Sequence, residues 1–289
     1  MIYNLGSINA DYFYKVPRLP VPGETLAATS MSCGLGGKGA NQSVAMARAG
    51  VEVRHIGAVG GDGQWLVDQM AKAGVDTRHI HPSRYPTAHA IVMVDSDGEN
   101  QIVIFPGANQ DQNPETINNA LSAAQPGDWL LLQNETSHQK ETARIAAEKG
   151  MVVAYSAAPF DADTVAALLP YLRLLIMNEI EAGQLAKALG AELLHLPVAN
   201  VLVTKGTRGV DWHDTRLMQT VSIPAFPVTA VDTTGAGDTF TGYAIAGLSS
   251  GLSPQSALRR AAAAAAISVT RAGTADAIPT SREVEAFLA

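Results

Sequence analysis

Cysteine is nearly absent from the 289-residue chain, in which Cys33 is the only one. A single cysteine excludes an internal disulfide framework and any zinc site built from several cysteines. The seven histidines are scattered, and no two have the H-x-x-x-H spacing of a helical metal site. Charged residues make up only 16% of the chain and hydrophobic residues 47%, which predicts a globular protein with a large core.

Positive charge and long apolar segments are also scarce. The net charge of −7 argues against nucleic acid or an anionic membrane as the main partner. The longest apolar run, residues 261–269, lies between Arg260 and Arg271 and is too short to span a bilayer. The first residues have no basic segment followed by an apolar core, so no signal peptide is expected. We therefore expect a cytoplasmic protein without a nucleic-acid or membrane partner.

Helical and strand-like segments alternate regularly from residue 113 onward. Strand 129–133, for example, reads as a continuous apolar run, which indicates burial on both faces. This alternation predicts an α/β fold with a mostly parallel central sheet between two helical layers. The segments 10–33 and 86–107 break the pattern, and we interpret them as one small antiparallel β-sheet that forms a lid. The chain is thus predicted to be a single domain, 1–289, that carries this lid.

A glycine-rich stretch, residues 232–242, lies between a segment predicted to be extended (223–231) and a predicted helix. Gly235, Ala236 and Gly237 have small or absent side chains, so a ligand can approach their N–H groups. Such groups at a helix start favour an anion. Asp238 follows directly, and a carboxylate beside an anion site suits a base next to a phosphoryl group in transfer. Taken alone, the stretch is equally compatible with an ordinary helix start.

A second glycine cluster, residues 34–42, also opens a predicted helix. It contains a formal G-x-G-x-x-G, but no compact strand precedes it and no acid ends the next strand, so a dinucleotide site is not indicated. It does not have the spacing of a phosphate-binding Walker loop either. What remains is a backbone surface for a small polar ligand, to which Lys38 and Asn41 add donors.

Polar side chains follow several of the predicted strands. Asn9 and Asp11 come after the first strand, Glu135 follows strand 129–133, and Asn178 and Glu181 follow strand 172–177. Each of these is common in turns or helix caps. Ligands of open α/β sheets bind at the carboxyl ends of the strands, so together these residues predict one site.

Four motifs occur in an order that resembles the ribokinase (PfkB) family of carbohydrate kinases over the whole chain. They are Gly6–Asp11, Pro22–Thr25, Gly36–Gln42 and, most specifically, Asp232–Gly242. The resemblance implies a ribokinase-like three-layer sandwich and an ATP-dependent kinase that phosphorylates a primary sugar hydroxyl. D-ribose is the expected substrate.

The resemblance also implies roles for particular residues. Asp238 would be the base, and Gly235, Ala236 and Gly237 the anion hole. The residues implied to bind the sugar are Asn9, Asp11, Gly37, Lys38, Asn41, Glu135 and Asp238. Those implied along the nucleotide are Asn178, Thr204 and Gly206. Glu181 would help to hold Mg²⁺ through water, while Asp232, Thr234 and Gly273 would shape a site for a monovalent cation, K⁺.

Three departures from the family pattern leave the catalytic motif intact, and the first two concern nucleotide and sugar recognition. Ser156–Pro159 reads Ser-Ala-Ala-Pro where the family usually has Asn-Pro-Ala-Pro. Ala262 stands where the adenine side often has Asn or His, and the stretch 190–200 is short.

The sequence is also compatible with other functions. The kinase could act on another pentose, a ketohexose or a nucleoside. The chain could instead be a non-catalytic sugar- or nucleotide-binding protein, although such a protein has no need for the base Asp238. A dehydrogenase using the second glycine cluster is the weakest alternative. Apolar residues in 88–105 also suggest a homodimer through the lid.

Overall fold

The computed structural model describes all residues, 1–289, and contains thirteen strands and nine α-helices. The strands are β1 (Ile2–Leu5), β2 (Asn9–Lys15), β3 (Ser30–Gly36), β4 (Val53–Val59), β5 (Asp76–Pro82), β6 (Ala88–Val94), β7 (Asn100–Phe105), β8 (Trp129–Gln133), β9 (Val152–Ser156), β10 (Leu174–Asn178), β11 (Asn200–Thr204), β12 (Val210–Asp214) and β13 (Gln219–Ile223). The helices are α1 (Lys38–Arg48), α2 (Gln64–Lys72), α3 (Pro114–Ser122), α4 (Gln139–Glu148), α5 (Ala162–Leu168), α6 (Glu179–Leu189), α7 (Ala236–Ser249), α8 (Pro254–Ser268) and α9 (Ser281–Leu288).

Nine strands form the central sheet, in the order β13-β12-β11-β10-β9-β8-β1-β4-β5. All pairs from β11 to β5 are parallel, and only the edge hairpin β12–β13 adds antiparallel pairs. This confirms the predicted mostly parallel sheet. The carboxyl ends of the parallel strands therefore meet along one edge, which is where the polar residues after β1, β8 and β10 are expected to converge.

Two hydrophobic cores lie on opposite faces of this sheet. Along β8, Leu131 faces one core, whereas Leu130 and Leu132 face the other. This alternation follows from the two-residue repeat of a strand, and it explains why the strand is apolar throughout. The first core contains side chains of α1, α2, α7, α8 and α9, and the second contains those of α3, α4, α5 and α6.

The remaining four strands form a second sheet in the order β3-β2-β6-β7, called the lid sheet below. Its outer pairs, β2–β3 and β6–β7, are antiparallel, and the central pair β2–β6 is parallel. Since β2 starts at Asn9 and β3 ends at Gly36, the lid sheet leaves the end of β1 and returns to the start of α1. Both glycine-rich motifs therefore lie close to its base.

Three elements differ from the sequence expectations. Residues 223–231 form no strand beyond Ile223, because Pro224 and Pro227 lack the N–H that a ladder needs. Strand β5 and helix α9 were not predicted: charged and polar residues interrupt the apolar pattern of β5, and α9 buries only Val284.

None of the nine helices combines the length and the apolar character that crossing a bilayer requires.

Candidate active site

Helix α7 begins with N–H groups that have no partner in the chain. Its N-cap, Gly235, has φ +73°, a left-handed conformation that favours glycine. This turn leaves the N–H groups of Gly237 and Asp238 without a protein acceptor. With the positive end of the helix dipole, they form a place for an anion.

Both carboxylate oxygens of Asp238 are held by amides from α1. Asn41 Nδ2 donates to Oδ2 at 3.1 Å, and Gln42 Nε2 donates to Oδ1 at 2.9 Å. The two helices can approach this closely because residue 242 is glycine: a Cβ there would lie 2.4 Å from the Cβ of Ala45. Helix packing thus places Asp238 beside the second glycine cluster.

The pKa of Asp238 is raised above its ordinary value. Burial is the main cause, while Lys38 and the two amide donors act in the opposite direction, and Glu135 adds to the increase. A raised pKa brings a carboxylate closer to the basicity that proton abstraction near neutral pH requires. The site therefore has the electrostatics of a general base.

Glu135 links the first strand to the start of α1. Its Oε2 accepts from the Ser7 hydroxyl and, at 3.3 Å, from the Lys38 N–H, while its Oε1 lies 3.7 Å from Lys38 Nζ. Burial alone would lower the pKa of Lys38, but Glu135 and Asp238 outweigh it and raise that pKa. Lys38 is thus a charged donor held among carboxylates.

Asn9 and Asp11 lie at the start of β2, on the lid side of this cluster. Asn109 Nδ2 donates to Asn9 Oδ1 at 2.8 Å, and Asn109 Oδ1 accepts from the Ile8 N–H at 3.0 Å. Burial, with Glu135 and Asp238 nearby, raises the pKa of Asp11 to about 7, although Lys38 opposes the shift. The role of Asn109 was missed, because its only signal was an Asn in the Gly-Ala-Asn turn after β7.

A cleft of about 230 Å³ opens on the other side of Asp238. Its lining includes seven residues that were predicted to have a role in the site: Lys38, Asn178, Glu181, Thr204, Gly235, Gly237 and Asp238. Ala236 and Gly206 do not line it, although Gly206 lies in the turn directly after β11. The predicted nucleotide residues therefore come together near the start of α7.

Asn178 and Glu181 are engaged with each other as a capping box of α6. Asn178 Oδ1 accepts from the Glu181 N–H at 2.9 Å, and Glu181 Oε2 accepts from the Asn178 N–H at 2.7 Å. Glu181 Oε1 is left for another partner. Burial raises the pKa of Glu181, with Asn178 and Lys38 opposing it.

Asp232 connects the segment before α7 to the loop after α8. Its Oδ1 accepts from the Thr234 N–H at 2.9 Å and its Oδ2 from the Gly273 N–H at 3.1 Å. Burial would raise the pKa of Asp232, but these donors bring it below the usual range. The three residues assigned to a cation are thus brought together. The next residue in the loop, Thr274, lies against Gly235, so this loop also contacts the start of α7.

These residues fit the two expected cations in different ways. No group of three or more His, Cys, Asp or Glu side chains is arranged to hold a metal. Mg²⁺ commonly binds one or two carboxylates and takes its other ligands from water and substrate phosphates, so the free oxygen of Glu181 fits it. At Asp232 each carboxylate oxygen accepts one N–H group and keeps a second lone pair, which a monovalent ion can use.

Two of the three family departures lie within packed structure. Ser156 ends β9, lines the cleft and has its Oγ 3.5 Å from Gln42 Nε2. Ala262 is buried in the first core on α8. The short stretch 190–200 contains a single 3₁₀ turn, Leu193–His195.

A helix start that can bind an anion lies beside a buried carboxylate, with further polar side chains and a cleft next to it. This arrangement is suited to group transfer between two ligands. The model of the pfkB family carbohydrate kinases matches residues 1–281, and the chain belongs to this family. A ribokinase of Haemophilus influenzae is 37% identical over 299 residues, covering 98% of this chain and 97% of that protein. The structure of a Thermotoga maritima ribokinase superposes with a TM-score of 0.88 at 37% identity, covering 99% of this chain and 98% of that one. An Arabidopsis thaliana ribokinase complexed with ribose and ATP also superposes with a TM-score of 0.88, at 29% identity and the same coverage.

Proposed function

We propose that this protein is an ATP-dependent sugar kinase that phosphorylates the primary hydroxyl of D-ribose to give ribose 5-phosphate. The observation that carries the proposal is the position of Asp238, whose carboxylate is held by Asn41 and Gln42 and lines the cleft. Family membership and the named ribokinase relatives support the reaction type and the sugar.

In the reaction, Asp238 accepts the proton of the sugar hydroxyl. The sugar oxygen forms a bond to the γ-phosphorus of ATP, the bond to the bridging oxygen breaks, and ADP leaves with that electron pair. The N–H groups of Gly237 and Asp238, which have no protein acceptor, stabilise the charge on the phosphoryl oxygens. We assign Gly235 and Ala236 to the turn that presents these groups.

The sugar is proposed to bind between the lid sheet and the start of α1. Asn41 supports this, because its Oδ1 is buried and has no hydrogen-bond partner, so a sugar hydroxyl can donate to it. Asp11 and Glu135 supply further acceptors, and Lys38 and the free amide of Asn9 supply donors. Gly37 is the N-cap of α1 with φ +88°, and we assign its backbone to the same sugar site. The segments 10–33 and 86–107 are proposed to act as a lid on a single domain.

The nucleotide is proposed to lie in the cleft, with its phosphates beside Asn178, Thr204 and Gly206. Mg²⁺ would neutralise phosphate charge, and the free oxygen of Glu181 would hold it through water. K⁺ would bind at Asp232, Thr234 and Gly273, next to the turn that forms the anion hole. An enzyme that consumes ATP is proposed to work in the cytoplasm.

The test is ADP release with ATP, Mg²⁺ and K⁺ across pentoses, ketohexoses and nucleosides. A clear preference for D-ribose, with loss of turnover when K⁺ is replaced by choline, is the expected result. A preference for another acceptor would retain the kinase and reject ribose. Absence of turnover on every acceptor would support a binding protein instead. Asp238→Asn should lack turnover on every acceptor. Asp163→Asn, which removes an exposed carboxylate on α5, is its matched control and should keep wild-type turnover.

We also propose that two copies pair through the lid sheet. Every residue of β7 is exposed, including the consecutive apolar side chains Ile102 (54%), Val103 (61%) and Ile104 (58%). A second copy offers an equally apolar strand, and such a surface seldom remains open to water. Sedimentation should give a dimer that Val103→Glu dissociates, whereas Leu217→Glu, an exposed apolar residue in the β12–β13 turn, should leave it intact. A wild-type monomer at micromolar concentration would reject the dimer.

A further inference from the structure

A chain of buried amides extends from Asp238 into the body of the protein. Gln42, which donates to Asp238 Oδ1, accepts in turn from Gln133 Nε2 at 2.8 Å, and Gln133 Nε2 also donates to Asn4 Oδ1 at 2.8 Å. Asn4 Nδ2 donates to the Gly39 carbonyl at 2.8 Å. All three residues are buried: Asn4, Gln42 and Gln133 are at most 1% exposed. Water is therefore a poor alternative partner for them.

The direction of every bond in this chain is set by its far end. The Gly39 carbonyl can only accept, so Asn4 must present its nitrogen to it and its oxygen to Gln133. Gln133 must then present its nitrogen to Gln42, and Gln42 is left with its nitrogen toward Asp238. A reversed Gln42 amide would place two donors together at Gln133 and two oxygens together at Asp238, and both arrangements are unfavourable in a buried site.

A side branch is fixed in the same way. Asn4 Nδ2 also donates to Ser43 Oγ at 2.8 Å, and the Ser43 hydroxyl lies 2.8 Å from His55 Nδ1. His55 Nε2 lies 3.1 Å from the Gly6 carbonyl, which requires a proton on Nε2 and leaves Nδ1 to accept. The branch therefore ends on a second backbone carbonyl, and no member of it is free to reverse.

We infer that Gln42 is a positioning residue for Asp238 and that Gln133, which does not touch Asp238, acts through it by fixing the orientation of its amide. The inference rests on the proposed function, because it needs Asp238 to be the base. Asn41, by contrast, donates to the other oxygen of Asp238, is not part of this row of hydrogen-bonded amides, and is implied in sugar binding. The amide chain gives the base a donor that stays aimed at its ionised form whether or not substrate is bound.

The alternative is that these amides only fill the core, and pH dependence separates the two. A donor to the ionised form lowers the pKa of a carboxyl group, so its loss moves the acid limb of kcat to higher pH. The other charged groups around Asp238 are Lys38 on α1, Glu135 after β8 and Asp11 on β2, and none is changed in the variants below. The profile is measured at saturating sugar and ATP, so that titration of Asp11 in the free enzyme does not enter.

The experiment compares Gln42→Met, Gln133→Met and the double variant. Gln42→Met should lower kcat about 10- to 100-fold and move the acid limb to higher pH, because a bond to a charged group is lost. Gln133→Met should move the same limb in the same direction by a smaller amount. The double variant should match Gln42→Met alone, since the two residues act in series. The KM values should change by less than about threefold.

Gln139→Met is the matched control. Gln139 is also buried, but it donates to the Thr136 carbonyl at 2.7 Å and has no contact with the chain of amides. It should keep the wild-type profile. A wild-type pH profile in Gln133→Met, or additive effects in the double variant, would overturn the inference. If Gln42→Met does not fold, the pH profile of Gln133→Met alone decides. Absence of wild-type turnover on any acceptor would instead reject the proposed function.

Discussion

Asn109 Nδ2 donates to Asn9 Oδ1 at 2.8 Å, although the two residues are 100 positions apart in the sequence. Asn109 follows the last lid strand, and Asn9 opens the first one, so the bond closes the base of the lid sheet over the proposed sugar pocket. It also fixes the amide of Asn9 with its nitrogen free for a sugar oxygen.

Replacing Asn109 should therefore weaken sugar binding more than chemistry. Asn109→Leu keeps the volume and removes the bond, and we expect the KM for the sugar to rise about tenfold with kcat within about threefold of wild type. Steady-state kinetics at varied sugar concentration measures both. Asn119→Leu, at an exposed position on α3, is the control. A fall in kcat at unchanged KM would place Asn109 elsewhere in the mechanism.

Sugar affinity should depend on pH through Asp11. Its pKa of about 7 means that the carboxylate, the form that accepts from hydroxyls, predominates above pH 7 and is lost as the pH falls below it. The KM for the sugar should thus rise as the pH is lowered from about 8 to about 6. In Asp11→Asn the KM should be high and flat over this range. A wild-type KM that is constant across it would contradict the role of Asp11.

Gly235 should be needed for catalysis beyond its cost in stability. Gly235 and Gly251 both have positive φ, +73° and +82°. A Cβ at Gly235 would make only an ordinary contact, 3.7 Å from the Cα of Thr274, and a Cβ at Gly251 would have no neighbour within 4 Å. Alanine at either position should cost about 1–2 kcal/mol of folding free energy. Only Gly235→Ala should also lower kcat, by about tenfold or more, because it shifts the turn that presents the anion-binding N–H groups. Equal kcat values in the two variants would remove that turn from the mechanism.

His55 should make stability depend on pH. Burial lowers its pKa to about 4, with the bond to Gly6 opposing, whereas the unfolded value is about 6.5. A lowered folded pKa gives stability that is complete above the unfolded value and is lost as the pH falls toward the folded one. The free energy of unfolding should fall by about 3 kcal/mol between about pH 7 and about pH 4 on account of this group.

Urea unfolding of wild type and His55→Gln across that range isolates the contribution of His55 as the difference in slope. The exposed His195→Gln should keep the wild-type slope. If His55→Gln lost stability with pH as steeply as the wild type, His55 would not be a buried neutral residue.

The sequence predicted the main sheet because buried parallel strands are apolar on both sides, as Leu130 to Leu132 illustrate with side chains in two different cores. It did not predict β5, because this strand lies at the edge of the sheet and contains charged residues such as Asp76 and Arg78 instead of an apolar run. The parallel pairing of β2 with β6 in the lid sheet joins distant segments, and no local signal encodes it.

The same contrast applies to the site. Asp238 and the glycines before it could be predicted because their chemistry follows from one short stretch. Gln42, Gln133 and Asn109 could not, because a buried amide has meaning only through partners that folding brings from 91 or more positions away. Gln42 lies inside a predicted motif, but only its contact with Asp238 gives it a role.

The most direct test of the account is Asp238→Asn, assayed for ADP release with D-ribose and for ATP binding by calorimetry. Asparagine has nearly the same size but accepts no proton, so turnover should fall by about a factor of 1,000 or more while the Kd for ATP changes by less than about threefold. A variant that still phosphorylates D-ribose at close to the wild-type rate would show that Asp238 is not the base.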